Sequence, residues 1–180
     1  MSDITELLLD AAADLLAVHG FHGLRMIEVA SRAGVSRQTV YNEFGNKEGL
    51  VQAVAAHRTE EYLTGIASRL GQDPDPWEAM RSAFRFTFEQ TEKDRLVSAM
   101  LTGQDAEDLL PFLTTRGHPV LFHATEVVEQ HLTEHFPGRH VRLAAETTVR
   151  LALSHLLMPS GDLESAVDAV VGVAKATLEA

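Results

Sequence analysis

Arg37, Gln38, Thr39 and Asn42 stand within the nine residues Ser36-Arg37-Gln38-Thr39-Val40-Tyr41-Asn42-Glu43-Phe44. These are side chains that hydrogen-bond to base edges. Arginine spans guanine O6 and N7 with its fork, glutamine spans adenine N6 and N7, and threonine meets a thymine methyl or a phosphate. The spacing predicts a short helix from Arg37 to Glu43 that turns Val40 and Phe44 inward and leaves Arg37, Gln38, Thr39 and Asn42 outside. Ser36 is a preferred N-cap for it.

A second helix must hold the first. Met26, Val29, Ala30 and Ala33 recur at i, i+3, i+4 and i+7, which predicts a helix over 26–33. Gly34 supplies the positive-φ residue that ends it at low cost. Two helices joined by a short turn containing glycine form a helix-turn-helix, whose second helix enters the DNA major groove. Taken alone, the pair also fits a helical hairpin with solvated polar residues.

The continuation separates these readings. Ala33-Gly34-Val35-Ser36, the short helix, Tyr41-Asn42-Glu43-Phe44 and then Lys47 at the start of a long helical stretch resemble the signature of the tetracycline-repressor (TetR) family. The resemblance is specific over roughly a quarter of the chain; elsewhere only length and helical pattern agree. It implies an all-α fold: an N-terminal three-helix DNA-binding domain over 1–48, and a helical effector-binding and dimerisation domain over 49–180. It implies a transcriptional repressor released by a small apolar effector, with Arg25, Ser36, Arg37, Gln38, Thr39, Tyr41, Asn42 and Lys47 at the DNA. No cofactor or metal is implied, and no enzymatic activity.

Three positions depart from the family pattern. Leu24-Arg25-Met26 replaces the usual Ser or Thr cap of the first motif helix and adds a cation within reach of a phosphate. Glu43 stands where His or Tyr is common, so it should turn away from DNA or meet a basic side chain. Gly49 replaces an acid that would complete a capping box, leaving Asn46 to cap the long helix alone.

Charge is uneven. The 180-residue chain carries −11, yet residues 21–47 hold Arg25, Arg32, Arg37 and Lys47 against Glu28 and Glu43, a local +2 that leaves −13 elsewhere. Phosphate attraction acts over roughly a Debye length, about 8–10 Å, so a basic face on an acidic body still binds DNA, with weak non-specific affinity. No apolar run reaches the length of about 18 residues that a membrane span needs. The acidic N-terminus is unlike a signal peptide. The absence of cysteine excludes disulfides and thiolate metal sites and fits the cytoplasm.

Helical patterns are predicted over 4–19, ended by Gly20, and over 46–70, with a bend at Gly65. Others follow over 76–91 behind an Asp75-Pro76 cap, 94–101, 105–113, 120–135, 139–157 and 163–178 behind Asp162. Residues 115–119 break the chain. The last two helices, 139–157 and 162–178, are apolar on more faces than one chain can cover, which predicts a four-helix homodimer interface. Trp77, Met80, Phe84, Phe88, Met100, Phe112, Phe122 and His123 supply apolar bulk for an effector cavity suited to an acyl or aromatic body, with core packing as the competing role. Gln104, Glu126, Arg150 and His155 are further polar candidates there. Control by a partner protein is the alternative. His131-Leu132-Thr133-Glu134-His135 matches the H-x-x-E-H pattern of zinc peptidases, an enzyme alternative with His131, Glu134 and His135 at the metal. It ends at once in Phe136-Pro137-Gly138 and has no identifiable third ligand, so helix-end histidines are the simpler reading.

Overall fold

In the computed structural model, which describes residues 3–102 and 120–179, every regular element among the described residues is an α-helix. The order is α1 (Asp3–Gly23), α2 (Met26–Arg32), α3 (Arg37–Phe44), α4 (Lys47–Leu70), α5 (Pro76–Lys93), α6 (Arg95–Thr102), α7 (Val120–His135), α8 (Val141–Leu157) and α9 (Leu163–Glu179). The expected 105–113 helix and the 115–119 break lie outside the described residues. No described helix is long and apolar enough to cross a membrane.

Side-chain oxygens start the helices where the sequence puts Ser, Asn or Asp. Ser36 Oγ accepts from the Thr39 amide at 3.1 Å, and Asn46 Oδ1 accepts from the Gly49 amide at 2.8 Å. Asp75 receives the Trp77 and Glu78 amides at 2.8 and 3.1 Å, and Asp94 those of Leu96 and Val97 at 2.9 and 3.2 Å. Asp162 accepts from Ser165 at 2.8 Å, and these Ser165 bonds hold its carboxyl below the ordinary range. Each such cap contributes about 1 kcal/mol.

Gly20 interrupts α1 at φ 65°, ψ −175°, and the chain resumes a single helical turn rather than ending there. Helix α4 runs through Gly65 unbroken. A Cβ at Gly65 would lie 2.5 Å from the tip of the Phe86 ring, so this glycine serves a close approach between α4 and α5.

Among the described residues, 3–59 and 94–102 form one compact unit and 60–93 and 120–179 a second, so the chain leaves the first unit inside α4 and returns to it for α6. In the first, Leu8, Leu16, Val29, Val40, Leu50, Val51 and Val54 are fully buried together, joining α1, α2, α3 and the start of α4. The acids of α1 face arginines: Asp14 accepts from Arg32 at 2.6 Å, and Asp10 lies 3.8 Å from Arg58. The second unit packs α5, α7, α8 and α9 around Met80, Phe84, Phe88, Leu132, Val149, Val167 and Val170. Arg85 grips Glu164 with two bonds of 2.7 Å, tying α5 to α9, and Arg81 pairs with Asp168 alongside.

Candidate nucleic-acid interface

Helix α3 is anchored by one fully buried residue, Val40, with Tyr41 and Phe44 packed half-buried beside it. That anchor turns Arg37, Gln38 and Asn42 to solvent. Ser36 and Thr39 are joined at the helix start, Oγ to Oγ1 at 2.9 Å, and Thr39 is half-buried.

The exposed side chains are braced in pairs one turn apart. Arg37 donates to the Tyr41 hydroxyl at 3.1 Å, with its guanidinium 5.1 Å from the Tyr41 ring centre. Gln38 donates its amide N–H to Asn42 Oδ1 at 2.9 Å. These i,i+4 contacts reduce the rotamers that a base-reading side chain must give up on binding.

The two ends of the motif are held differently. Arg25 is exposed, extended at φ −125°, ψ 128°, and makes no side-chain cap for α2, as its residue type dictates. Lys47 Nζ donates to the His22 carbonyl at 3.2 Å and lies 4.6 Å from the Phe21 ring centre. The last turn of α1 therefore positions Lys47, a role that no motif in the sequence announces. An ammonium has three donors, so two remain for other acceptors. Glu43 is exposed.

The step from α3 to α4 is tighter than the sequence suggests. Gly45 adopts φ 74°, ψ −60°, and the Asn46 amide donates to the Phe44 carbonyl at 2.8 Å, a γ-turn of positive φ. This turn brings the Phe44 carbonyl against α4, where a Cβ at Gly49 would collide with it. Gly49 is thus a steric requirement here.

The expected effector residues divide. Met80, Phe84 and Phe88 are buried in the second core with Trp77 packed against it; Trp77 stacks on Phe136 at 4.9 Å. Phe122 is 47% exposed and stands outside that core, while His123 next to it pairs with Glu126 at 3.2 Å. Phe112 and Gln104 fall outside the described residues, as does the side chain of Met100. Arg150 is exposed and paired with Glu146. His155 meets Phe88 edge-on at 6.3 Å, and with Thr91, Leu156, Leu163 and Ala166 these two line a cavity of about 100 Å³.

His131 and His135 do not converge on a metal. His131 is buried and its Nε2 bonds to the Pro76 carbonyl at 3.1 Å; His135 Nδ1 bonds to the His131 carbonyl at 2.9 Å. Burial pushes the His131 pKa down, against a smaller upward pull from the Pro76 carbonyl. Among the described residues no three His, Asp or Glu side chains are placed to share a metal ion.

Residues 8–54 match the family described as bacterial regulatory proteins, tetR family, and residues 75–176 match the bacterial tetracyclin repressor C-terminal domain. The transcriptional regulator AlkX of Mycobacterium tuberculosis is 32% identical over 155 residues, spanning 84% of this chain and 74% of its own. The crystal structure of the repressor AlkX from Dietzia sp., implicated in biodegradation of n-alkanes, superposes with a TM-score of 0.73 at 28% identity, covering 97% of this chain and 95% of that one. The fatty acid degradation regulator FadR from Bacillus halodurans shares the fold, with a TM-score of 0.70 at 20% identity over 97% and 95% of the two chains.

Proposed function

This chain belongs to the tetracycline-repressor family of DNA-binding transcriptional regulators, and from that premise we propose that it is a repressor that binds an inverted-repeat operator as a homodimer and is released by a small apolar effector. The observation that carries the DNA-reading part is the exposed face of α3, where Arg37, Gln38 and Asn42 project from a helix fixed by Ser36 and Val40. Arg37 and Gln38 read bases; Arg25, Ser36, Thr39, Tyr41 and Lys47 position the helix on phosphates or bases. Residues 1–48 form the DNA-binding module, and 49–180 hold the effector and the dimer contact.

Dimerisation uses 139–157 and 162–178. Leu143 is 59% exposed on α8, and Ala169, Gly172 and Ala176 form an exposed run of small residues on α9, a surface that allows close helix approach. Two-fold closure places two α3 helices on two half-sites. The effector is an acyl or alkyl chain: Phe88, Leu156, Leu163 and Ala166 border a cavity beside the apolar core of Met80 and Phe84 with Trp77 packed against it, and the Dietzia relative is implicated in n-alkane degradation.

Selection of DNA from random duplexes with the full chain tests the proposal. An inverted repeat bound by two copies is expected; a monomer that binds single half-sites equally well would overturn it. Straight-chain fatty acids and alcohols are then titrated against the selected operator. A true effector weakens operator binding by about 1–3 kcal/mol, and operator weakens effector binding by the same factor.

A further inference from the structure

We propose that Phe21 is a positioning residue for DNA binding: its ring face, with the His22 carbonyl, holds the Lys47 ammonium ready for a phosphate before DNA arrives. The inference rests on the reading of Lys47 as a phosphate contact and adds the residue that makes that contact effective.

A lysine ammonium rides on four flexible carbons, and ordering such a side chain on binding subtracts from affinity. A side chain held beforehand loses less. Here both ends of Lys47 are pinned. Its backbone opens α4 behind Asn46, whose Oδ1 caps the Gly49 amide at 2.8 Å. Its Nζ donates to the His22 carbonyl at 3.2 Å and lies 4.6 Å from the centre of the Phe21 ring.

The break in α1 builds this seat. Gly20 sits at φ 65°, ψ −175°, a backbone region open almost only to glycine. One more turn follows, with the Leu24 amide donating to the Gly20 carbonyl at 3.2 Å, and it carries Phe21 and His22. The last carbonyls of a helix lack a partner within it, and the His22 carbonyl takes Lys47 instead. Phe21 packs against the first core, so its ring is a fixed platform, and the His22 ring stands nearly perpendicular to it at 5.6 Å. Lys47 itself is only half-buried and remains accessible.

The chemistry of the seat decides whether it presents the charge or withholds it. An ammonium has three N–H donors, and the carbonyl takes one. A ring face attracts the cation through its quadrupole and carries no net charge to neutralise it. A carboxylate in the same place would cancel the charge that a phosphate needs. The pair Phe21 and His22 carbonyl therefore orders Lys47 and leaves it cationic with donors to spare. Because phosphates carry no sequence, the gain should apply to every DNA alike.

The test uses the full-length protein, its selected operator and a random duplex. The proteins are wild type, Phe21→Leu, Phe21→Tyr, Lys47→Ala and the double Phe21→Leu/Lys47→Ala. Phe21→Leu should weaken binding to both DNAs about fivefold, the loss expected when one long side chain must be ordered on binding. Phe21→Tyr keeps the ring face and should keep the affinity. In the Lys47→Ala background Phe21→Leu should weaken binding no further. A loss that persists there would mean that Phe21 acts through the core alone, and equal losses in Phe21→Leu and Phe21→Tyr would mean the same; either overturns the inference. Unchanged or tighter binding by Phe21→Leu overturns it too, since the ring would then be idle or would hold Lys47 back. Because Phe21→Leu also disturbs packing, the seat is checked in the unmutated protein by NMR of labelled lysine. The ε-methylene protons of Lys47, identified by their absence in Lys47→Ala, should lie upfield of those of Lys93, which pairs with Glu89 rather than a ring. Coincidence with the Lys93 position would show that the seat is not occupied in solution and overturns the inference. If Lys47→Ala weakens binding to neither DNA, the phosphate reading falls and the inference with it.

Discussion

The ring of Phe86 occupies the space a side chain at Gly65 would need, its tip 2.5 Å from the position of a Cβ there. Arg69 lies over the face of the ring, its guanidinium carbon 3.5 Å from the ring centre, and donates to the Gly65 carbonyl at 2.8 Å. Gly65→Ala gains about 1 kcal/mol of helix propensity but must push the ring off this seat, an overpacking cost of about 1–3 kcal/mol. The substitution should lower the denaturation midpoint in wild type and raise it in a Phe86→Ala background. That change of sign is read from paired chemical denaturation curves; the same sign in both would show that Phe86 is not the obstacle.

A family-like acid at position 49 would look like an improvement from sequence alone, since it completes a capping box with Asn46. The structure predicts the reverse. Any Cβ there meets the Phe44 carbonyl, which the Gly45 turn holds against α4. Gly49→Glu should destabilise by about 1–3 kcal/mol. Gly45→Ala should cost a similar amount, because φ 74° is unfavourable to an L side chain. Thermal unfolding of both variants checks this, and a stabilised Gly49→Glu would refute the steric account.

What the sequence could and could not reveal follows from range. Helices, caps and the buried stripe of α3 depend on residues within one or two turns, so Ser36, Asn46, Asp75, Asp94 and Asp162 were readable as starts. Gly65 was legible as a weak point but not as a contact, because Phe86 comes from a different helix. Lys47 was legible as a cation near DNA, whereas its seat on Phe21 and the His22 carbonyl joins residues 26 and 25 apart. Phe122 joins the cavity candidates by residue type alone, yet the register of α7 buries Thr125, Val128 and Leu132 and leaves Phe122 exposed.

His131 gives the second unit a defined acid response. Burial lowers its pKa in the folded state below the ordinary value of about 6.5, while the unfolded chain keeps that value. The unfolded state therefore takes up a proton first as pH falls. Stability from this group is fully present above about pH 6.5, declines below it, and levels off once pH passes the folded value. His135 at a ring distance of 4.5 Å adds to the downward shift, and Glu134 opposes it. Melting temperatures at pH 7.5 and pH 5.5 should differ less for His131→Gln than for wild type. An equal difference would show that His131 does not stay neutral in the fold.

Lys47 and Gln38 should fail in different ways. Lys47→Ala should weaken binding to all sequences and flatten the dependence of log affinity on log salt by about 0.9 per chain, as loss of one phosphate contact does. Gln38→Ala should cost about 1–3 kcal/mol on the selected operator and little on random DNA. Affinities measured over a salt series on both DNAs separate the two. An unchanged salt slope in Lys47→Ala would mean that Lys47 only ties the end of α1 to α4.

Gly172 tests the dimer without disturbing the protomer. It lies on the exposed side of α9 between Ala169 and Ala176, and a Cβ built on it meets nothing within 4 Å. An arginine there has room in a single chain, and replacing a helix-interior glycine favours the helix by up to about 1 kcal/mol. The same side chain in a two-fold interface is placed twice, against its own copy, where two like charges lose their water. Gly172→Arg should therefore keep or raise the melting temperature of the protomer, shift the protein from dimer to monomer in sedimentation, and abolish tight binding to the inverted repeat. Binding to an isolated half-site should be unchanged, because α3 lies in the other compact unit. A variant that remains dimeric would place the interface on another surface, and one that becomes monomeric yet binds the full repeat as tightly as wild type would show that the two half-sites are read independently.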